Sequence, residues 1–212
     1  MKTREKILLA SLALFNEEGE PNVTTVDIAA ELDISPGNLY YHFKGKSVII
    51  LELYERFESE LIEILNAPLE KLDDDDSWIY LYVIFEHIYA FRFFYQHQRD
   101  IIQRVPQLES RYKRLLKRKY NNAMSLLNYF RANNMIAMSD DEVAEVSDNI
   151  VLVQTAWLNY ENLRDLRLSD ELMLHRGVFQ IIVMIAPYLT EAHKDQYQHF
   201  RSLYHSRLKA QS

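Results

Sequence analysis

Apolar residues recur in steps of three and four along most of the chain, the spacing that gathers side chains on one face of an α-helix. From Thr3 to Gly19 the positions Ile7, Leu8, Ala10, Leu12, Leu14 and Phe15 follow that rule, and Gly19 stands where a C-cap would. Thr24 with Asp27 three residues on is a capping box, opening a short helix through Ile28, Ala29 and Leu32. Asp33-Ile34-Ser35 breaks it. Ser35 can cap a second short helix with Pro36 at its first position, where a missing N–H costs nothing, ending near His42. A longer amphipathic helix is expected from Ser47 to about Asn66.

Pro68 and the run Asp73 to Asp76 mark a loop. The stretch from Trp78 to Tyr95 is apolar nearly all round, as a central buried helix is. Beyond Pro106 a helix over about 108–133 bears Arg111, Lys113, Arg114, Lys117, Arg118 and Lys119, read as a solvated face. Ser139 and Ser169 cap two more helices. Val143, Val146, Ile150, Val153, Trp157 and Tyr160 form one three-four seam, and Leu174, Val178, Ile181, Ile185 and Tyr188 form another. Two such seams are what a pair of helices brings to a four-helix interface, so Val146, Ile150, Val153, Trp157, Val178, Ile181 and Ile185 are the expected dimer contacts. A polar helix over about 191–208 closes the pattern. No strand alternation and no internal repeat emerges, and the fold class is all-α.

Composition narrows the chemistry. Among 212 residues there are four glycines, too few for the Gly-rich turns of phosphate-binding or dinucleotide-binding loops, and no cysteine, which excludes disulfides, thiolate zinc sites and a cysteine nucleophile. The Trp78–Tyr95 stretch carries Glu86, His87 and Arg92, too polar for a membrane span, and the charged start of the chain lacks a secretory core, so a cytoplasmic protein is expected. His193, His199 and His205 are spaced by six, off a shared helical face, and no metal or other cofactor is expected. No catalytic motif appears, so the chain is not read as an enzyme.

Net charge is −7, which taken whole disfavours nucleic acid. Residues 1–46 hold five bases against seven acids, yet no acid lies between Asp33 and Glu52. The stretch holding the second short helix is therefore purely cationic. The unit from Thr24 to His42 has the proportions of a helix-turn-helix, whose second helix enters the major groove. Thr24, Thr25 and Ser35 offer hydroxyls at helix starts, Gly37 lets backbone approach a phosphate, and Asn38, Tyr40, Tyr41, His42, Lys44 and Lys46 cluster as donors and aromatic surfaces.

Thr24-Thr25-Val26-Asp27-Ile28-Ala29 followed by Ser35-Pro36-Gly37-Asn38-Leu39-Tyr40-Tyr41-His42-Phe43-Lys44-Gly45-Lys46 resembles the N-terminal DNA-binding signature of the TetR family of bacterial repressors. The resemblance implies a homodimer with an N-terminal helix-turn-helix domain (1–46) and a larger helical domain (47–212) that binds an inducer and dimerises. It implies phosphate contacts from Thr25, Tyr41, His42 and Lys46, and groove-facing roles for Ser35, Pro36, Gly37, Asn38 and Tyr40. Pro36 departs from the polar or basic residue many members carry there.

The aromatic stretch adds an effector site to this picture. Trp78, Tyr82, Phe85 and Tyr89 share a face that Phe93 extends, and Glu86 and Arg92 interrupt an otherwise apolar surface, as a pocket for a small, largely apolar molecule requires. Two readings stand. One is a dimeric repressor released from a palindromic operator by a small effector. The alternative is an all-α small-molecule-binding or enzymatic bundle whose helix-turn-helix is non-functional, and a gel shift with the protein's own upstream region separates them.

Overall fold

The computed structural model describes residues 2–69, 74–164 and 169–210; the side chains of 74–78, 203 and 207–210 lie outside that description. Eleven α-helices occupy the described residues: α1 Thr3–Leu14, α2 Thr25–Glu31, α3 Pro36–His42, α4 Lys46–Leu65, α5 Asp74–Ala90, α6 Phe93–Gln96, α7 Gln98–Arg104, α8 Gln107–Ala132, α9 Asp140–Leu163, α10 Asp170–Ile185 and α11 Glu191–Ala210. Among these residues strand-like pairing is confined to a single bridge, Ile136 with Leu189. Among the described residues no helix is long and apolar enough to cross a membrane.

Local chemistry explains most boundaries. Ser139 accepts the Glu142 N–H while Glu142 accepts the Ser139 N–H, the reciprocal box that opens α9, and Ser169 opens α10 in the simpler form. Two expectations are corrected. The first helix is α-helical only to Leu14 and widens to a π-helical turn over Phe15–Gly19. The continuous helix expected from 78 to 95 ends at Ala90, and short helices α6 and α7 follow.

The chain packs as two compact units, one of residues 1–61 with 90–114, the other of 62–89 with 115–212. This division differs from a boundary at residue 46: α4 and α8 each contribute residues to both units.

In the first unit Ile7, Leu8, Phe15, Ile28, Leu39, Phe43 and Ile49 are buried together with an aromatic cluster from α4, α6 and α8. Phe57 lies 5.5 Å from Phe91 and 5.7 Å from Phe94, and Tyr54 lies 5.3 Å from Phe94. Asn16 ties the start of the chain to the 90–93 turn: its amide donates to the Ala90 carbonyl at 2.8 Å and accepts from the Phe93 N–H at 3.2 Å.

In the second unit Phe85 meets Trp157 at 5.0 Å, and both rings crowd Gly177, where an added Cβ would fall 2.4 Å from Phe85. Arg176 and Glu161 form a buried, doubly hydrogen-bonded ion pair at 3.0 and 3.1 Å. Here the expected dimer contacts are corrected. Val146, Ile150, Trp157, Val178, Ile181 and Ile185 are buried inside the subunit's own core and so are not presented to a second copy, whereas Val153 is half-buried. A three-four seam identifies a helix's buried stripe, not what covers it. The apolar residues these helices leave outside are Leu152, Tyr160 and Leu163 on α9 and Val183 on α10. Lys119, expected on the solvated face of α8, is likewise buried, and burial lowers its ammonium pKa to about 7.

Candidate nucleic-acid interface

The helix-turn-helix is built by local hydrogen bonds. The Asp27 carboxylate accepts both the Thr24 N–H and the Thr24 hydroxyl at 2.7 Å, while the Asp27 N–H donates to Thr24 Oγ1 at 3.3 Å. The Thr24 hydroxyl bond, then the backbone bond, holds the Asp27 carboxyl below its usual range. At the turn Asp33 takes a left-handed φ of 52°, which short polar side chains tolerate. The Ile34 N–H then returns to the Ala29 carbonyl at 3.0 Å. Ser35 Oγ accepts from the Asn38 N–H at 3.1 Å and starts α3. Ile28, Ala29 and Leu39 are buried between the helices, whereas Leu32 and Ile34 are half-buried and Ala30 is exposed.

What remains outward is the face the sequence singles out. Ser35, Pro36, Gly37, Asn38, Tyr40, Tyr41 and Lys44 are exposed, as is Thr24; Thr25 and His42 are half-buried. Tyr41 is 78% exposed, an extreme value for a large ring, and stands edge-on to His42 at 5.2 Å. The Lys44 ammonium sits 4.6 Å above the Tyr40 ring. Gly37 has no internal reason to be glycine, because an added Cβ would meet only Ser35 Oγ at 3.9 Å. Its missing side chain leaves room outside the protein. Gly45 is different, since its φ of 143° itself favours glycine.

Lys46 does not join this face. Its ammonium donates to the Glu20 and Val23 carbonyls, the latter at 2.5 Å, and pairs with the Glu20 carboxylate at 2.9 Å. Two of the ammonium's three protons are thus spent on carbonyls inside the unit, and Lys46 has a structural role there where the resemblance implies a phosphate contact. Glu20 is wholly buried and also pairs with Arg104 at the end of α7.

Sequence reasoning missed this triad, and it missed Arg4. The Arg4 guanidinium donates to the His42 carbonyl at 2.9 Å, pairs with Glu52 and lies 4.2 Å over the Phe43 ring. It fastens α1 to the end of α3. Arg4 belongs to a charged opening segment whose pattern gave no reason to single it out. For Lys119 a signal existed: it falls on the stripe Tyr112, Leu115, Lys119, Asn122 and Leu126, all buried.

The expected effector residues are divided between the two units. Tyr82, Phe85, Glu86 and Tyr89 belong to the second unit, Arg92 and Phe93 to the first, because the helix breaks between them. Phe85 and Phe93 are fully buried core residues, the latter 5.2 Å from Phe15. Tyr82 packs on His175 at 5.2 Å, Glu86 is exposed, and Tyr89 and Arg92 are half-buried. The Trp78 side chain lies outside the described residues.

A family model described as bacterial regulatory proteins, tetR family, matches residues 7–53, and a second, described as bacterial transcriptional repressor, matches residues 56–197. The chain belongs to the TetR family. A crystal structure of a TetR-family transcriptional regulator from Marinobacter aquaeolei is 33% identical, with a TM-score of 0.87 over 96% of this chain and 99% of that one. The transcriptional repressor KstR2 of Mycolicibacterium smegmatis is 27% identical over 50% of this chain and 54% of its own length. The regulator QacR of Staphylococcus aureus is 35% identical over 39% of this chain and 44% of its own. The chain thus spans about half the length of these curated relatives. These relatives are named as an HTH-type transcriptional repressor and an HTH-type transcriptional regulator.

Proposed function

We propose that the chain is a dimeric, cytoplasmic, DNA-binding repressor that reads a palindromic operator through α3 and is released from it by a small, largely apolar effector. The observation that carries this reading is the exposed, acid-free face from Ser35 to Lys44, where aromatic, amide and cationic groups are held outward by helices whose own polar groups are capped. Asn38 and Tyr40 lie on the helix that would enter the groove. Tyr41 and Lys44 suit phosphate oxygens.

Reading a palindrome needs a two-fold partner, and Leu152, Tyr160, Leu163 and Val183 supply an outward apolar surface on α9 and α10 for one. Release by an effector requires a ligand that favours a conformation whose recognition helices are wrongly spaced. The helices α4 and α8, which carry residues of both units, give such a change a covalent route through the chain.

The test is a gel shift with DNA from the protein's own upstream region. Saturable binding that competitor DNA of random sequence fails to remove supports the reading. Tyr41→Ala, at an exposed position, is expected to weaken binding to all sequences without lowering the melting temperature. Asn38→Ala is expected to relax preference at particular base pairs, and equal losses on operator and random DNA assign Asn38 to positioning alone.

A further inference from the structure

The second helix of the helix-turn-helix, α3, carries neither arginine nor lysine. Guanine is read most often by the paired N–H donors of those two side chains, aimed at its O6 and N7. The two lysines that follow lie off the helix. The Lys44 ammonium stands 4.6 Å over the Tyr40 ring, and Lys46 is held inside the unit by Glu20 and Val23.

What α3 turns outward at its start is largely apolar. Pro36 and Tyr40 are both exposed and stand four apart, neighbours on one side of the helix, while Leu39 is buried against the rest of the unit. Gly37, exposed beside them, adds no side chain to hold a base edge away. Proline suits a first helical position for conformational reasons, but its ring also removes a backbone N–H and sets carbon in its place. The amide on this helix is the exposed side chain of Asn38, whose donor and acceptor match the N7 and N6 edge of adenine.

We propose that α3 selects A·T pairs, with Pro36 and Tyr40 packing on thymine methyl groups and Asn38 bonding an adenine. In the major groove thymine is told apart by its C5-methyl, which apolar side chains contact. The N-terminal residues of a recognition helix are the ones that meet base edges, which puts Pro36 and Tyr40 ahead of His42. Pro36 is then a specificity-determining residue, since a cationic side chain at the same place would favour guanine. The inference rests on the reading of α3 as a DNA-binding helix and adds to it the class of base pair that the helix recognises.

The experiment selects the preferred sequence of the full chain from random DNA duplexes, then replaces each thymine of that sequence in turn by deoxyuridine. Deoxyuridine pairs as thymine does and lacks only the C5-methyl. Burial of one methyl is worth about fourfold in affinity, so that loss is expected at one thymine for Pro36 and at another for Tyr40. Pro36→Ser should abolish the first loss and Tyr40→Ala the second, with melting temperatures unchanged because both positions are exposed. Pro36→Lys adds a cationic donor, and its selected sequence should carry G·C where the parent carries A·T. Tolerance of deoxyuridine at every thymine, losses that persist in both variants, or an unaltered base preference in Pro36→Lys overturns this inference alone. Failure to select any sequence overturns the DNA-binding reading along with it.

Discussion

Replacing Lys46 by Met separates two roles that the sequence alone assigns to the same position. In the structure the ammonium donates to the Val23 and Glu20 carbonyls and is ion-paired with the Glu20 carboxylate. Methionine keeps most of the stem and removes the charge, leaving a fully buried carboxylate with Arg104 as its remaining cation. Removing one partner of a buried ion pair costs about 3–5 kcal/mol. Because Arg104 still neutralises Glu20 in part, the lower end, ~3 kcal/mol, applies. For a chain of this size each kcal/mol moves the melting temperature by about 2–4 °C, so a fall of roughly 6–12 °C is expected. A phosphate contact predicts something else: an unchanged melting temperature and a salt slope of DNA binding reduced by ~0.9. Thermal unfolding and operator binding across a salt series, on the same preparation, read both. Lys44→Met is the control, because Lys44 is exposed over Tyr40 and its loss should reduce the slope while leaving stability alone. A Lys46→Met protein that melts like the parent and loses one phosphate's worth of slope would refute the structural role.

Three further outcomes follow from buried groups and exposed apolar ones. Gly177→Ala gains about 1 kcal/mol of helix propensity, but its Cβ would sit 2.4 Å from Phe85 and 2.8 Å from Trp157. Overpacking of that kind costs about 1–3 kcal/mol or more, so a net loss in denaturant midpoint is expected, and a gain would show that the rings yield freely. The Lys119 pKa is lowered to about 7 in the folded chain, against its ordinary value of 10.5 when unfolded, so the unfolded state binds more protons between those values. Stability should therefore rise with pH from about 7 towards 10.5, and Lys119→Met should flatten that rise; an unchanged slope in the variant removes Lys119 as its source. Leu152→Glu, 62% exposed on α9, should yield folded monomers by sedimentation, whereas Ile181→Asp buries a charge at a fully buried position and should unfold the chain; a folded monomer from Ile181→Asp would restore the seam to the interface.

What was legible in the sequence was what short-range hydrogen bonding decides. The Thr24–Asp27 box and the Ser35 cap each join residues three apart, so their pattern is written locally and the two short helices follow. The break after Ala90 was not legible because neither proline nor glycine marks it and both sides are apolar; tertiary packing of Phe93 on Phe15 and the Asn16 clamp set it instead. The seams of α9 and α10 are apolar stripes, as their spacing predicts, but Val146, Ile150, Trp157, Val178, Ile181 and Ile185 are covered by the subunit's own core, since spacing says which side is buried and nothing about which partner buries it. Glu20, Lys46 and Arg104 come from three separated segments, and a residue beside Pro21 in an evident loop gave no hint of lying at zero exposure.

The triad also changes where a signal would have to act. The DNA-reading helices and residues 90–114 belong to one compact unit, and three contacts fasten them: the Phe15–Phe93 rings, the Asn16 clamp on the 90–93 turn, and Glu20 between Lys46 and Arg104. Two of the three are polar and buried or half-buried, with directional geometry that tolerates little sliding. A displacement of α6 and α7 therefore either carries the π-helical turn after α1 with it or breaks the ion pair of exposed Arg104 with buried Glu20. Carrying the turn costs less, since breaking the pair leaves the buried carboxylate with Lys46 as its one remaining cation. The end of α1 and the 20–22 turn are thus obliged to follow 90–104, and through Lys46 the start of α4 follows as well. On this argument Glu20 is placed to transmit motion between the reading head and α6–α7 because it is too costly to leave unpaired, and shortening it to Asp would loosen the coupling before it loosened the fold.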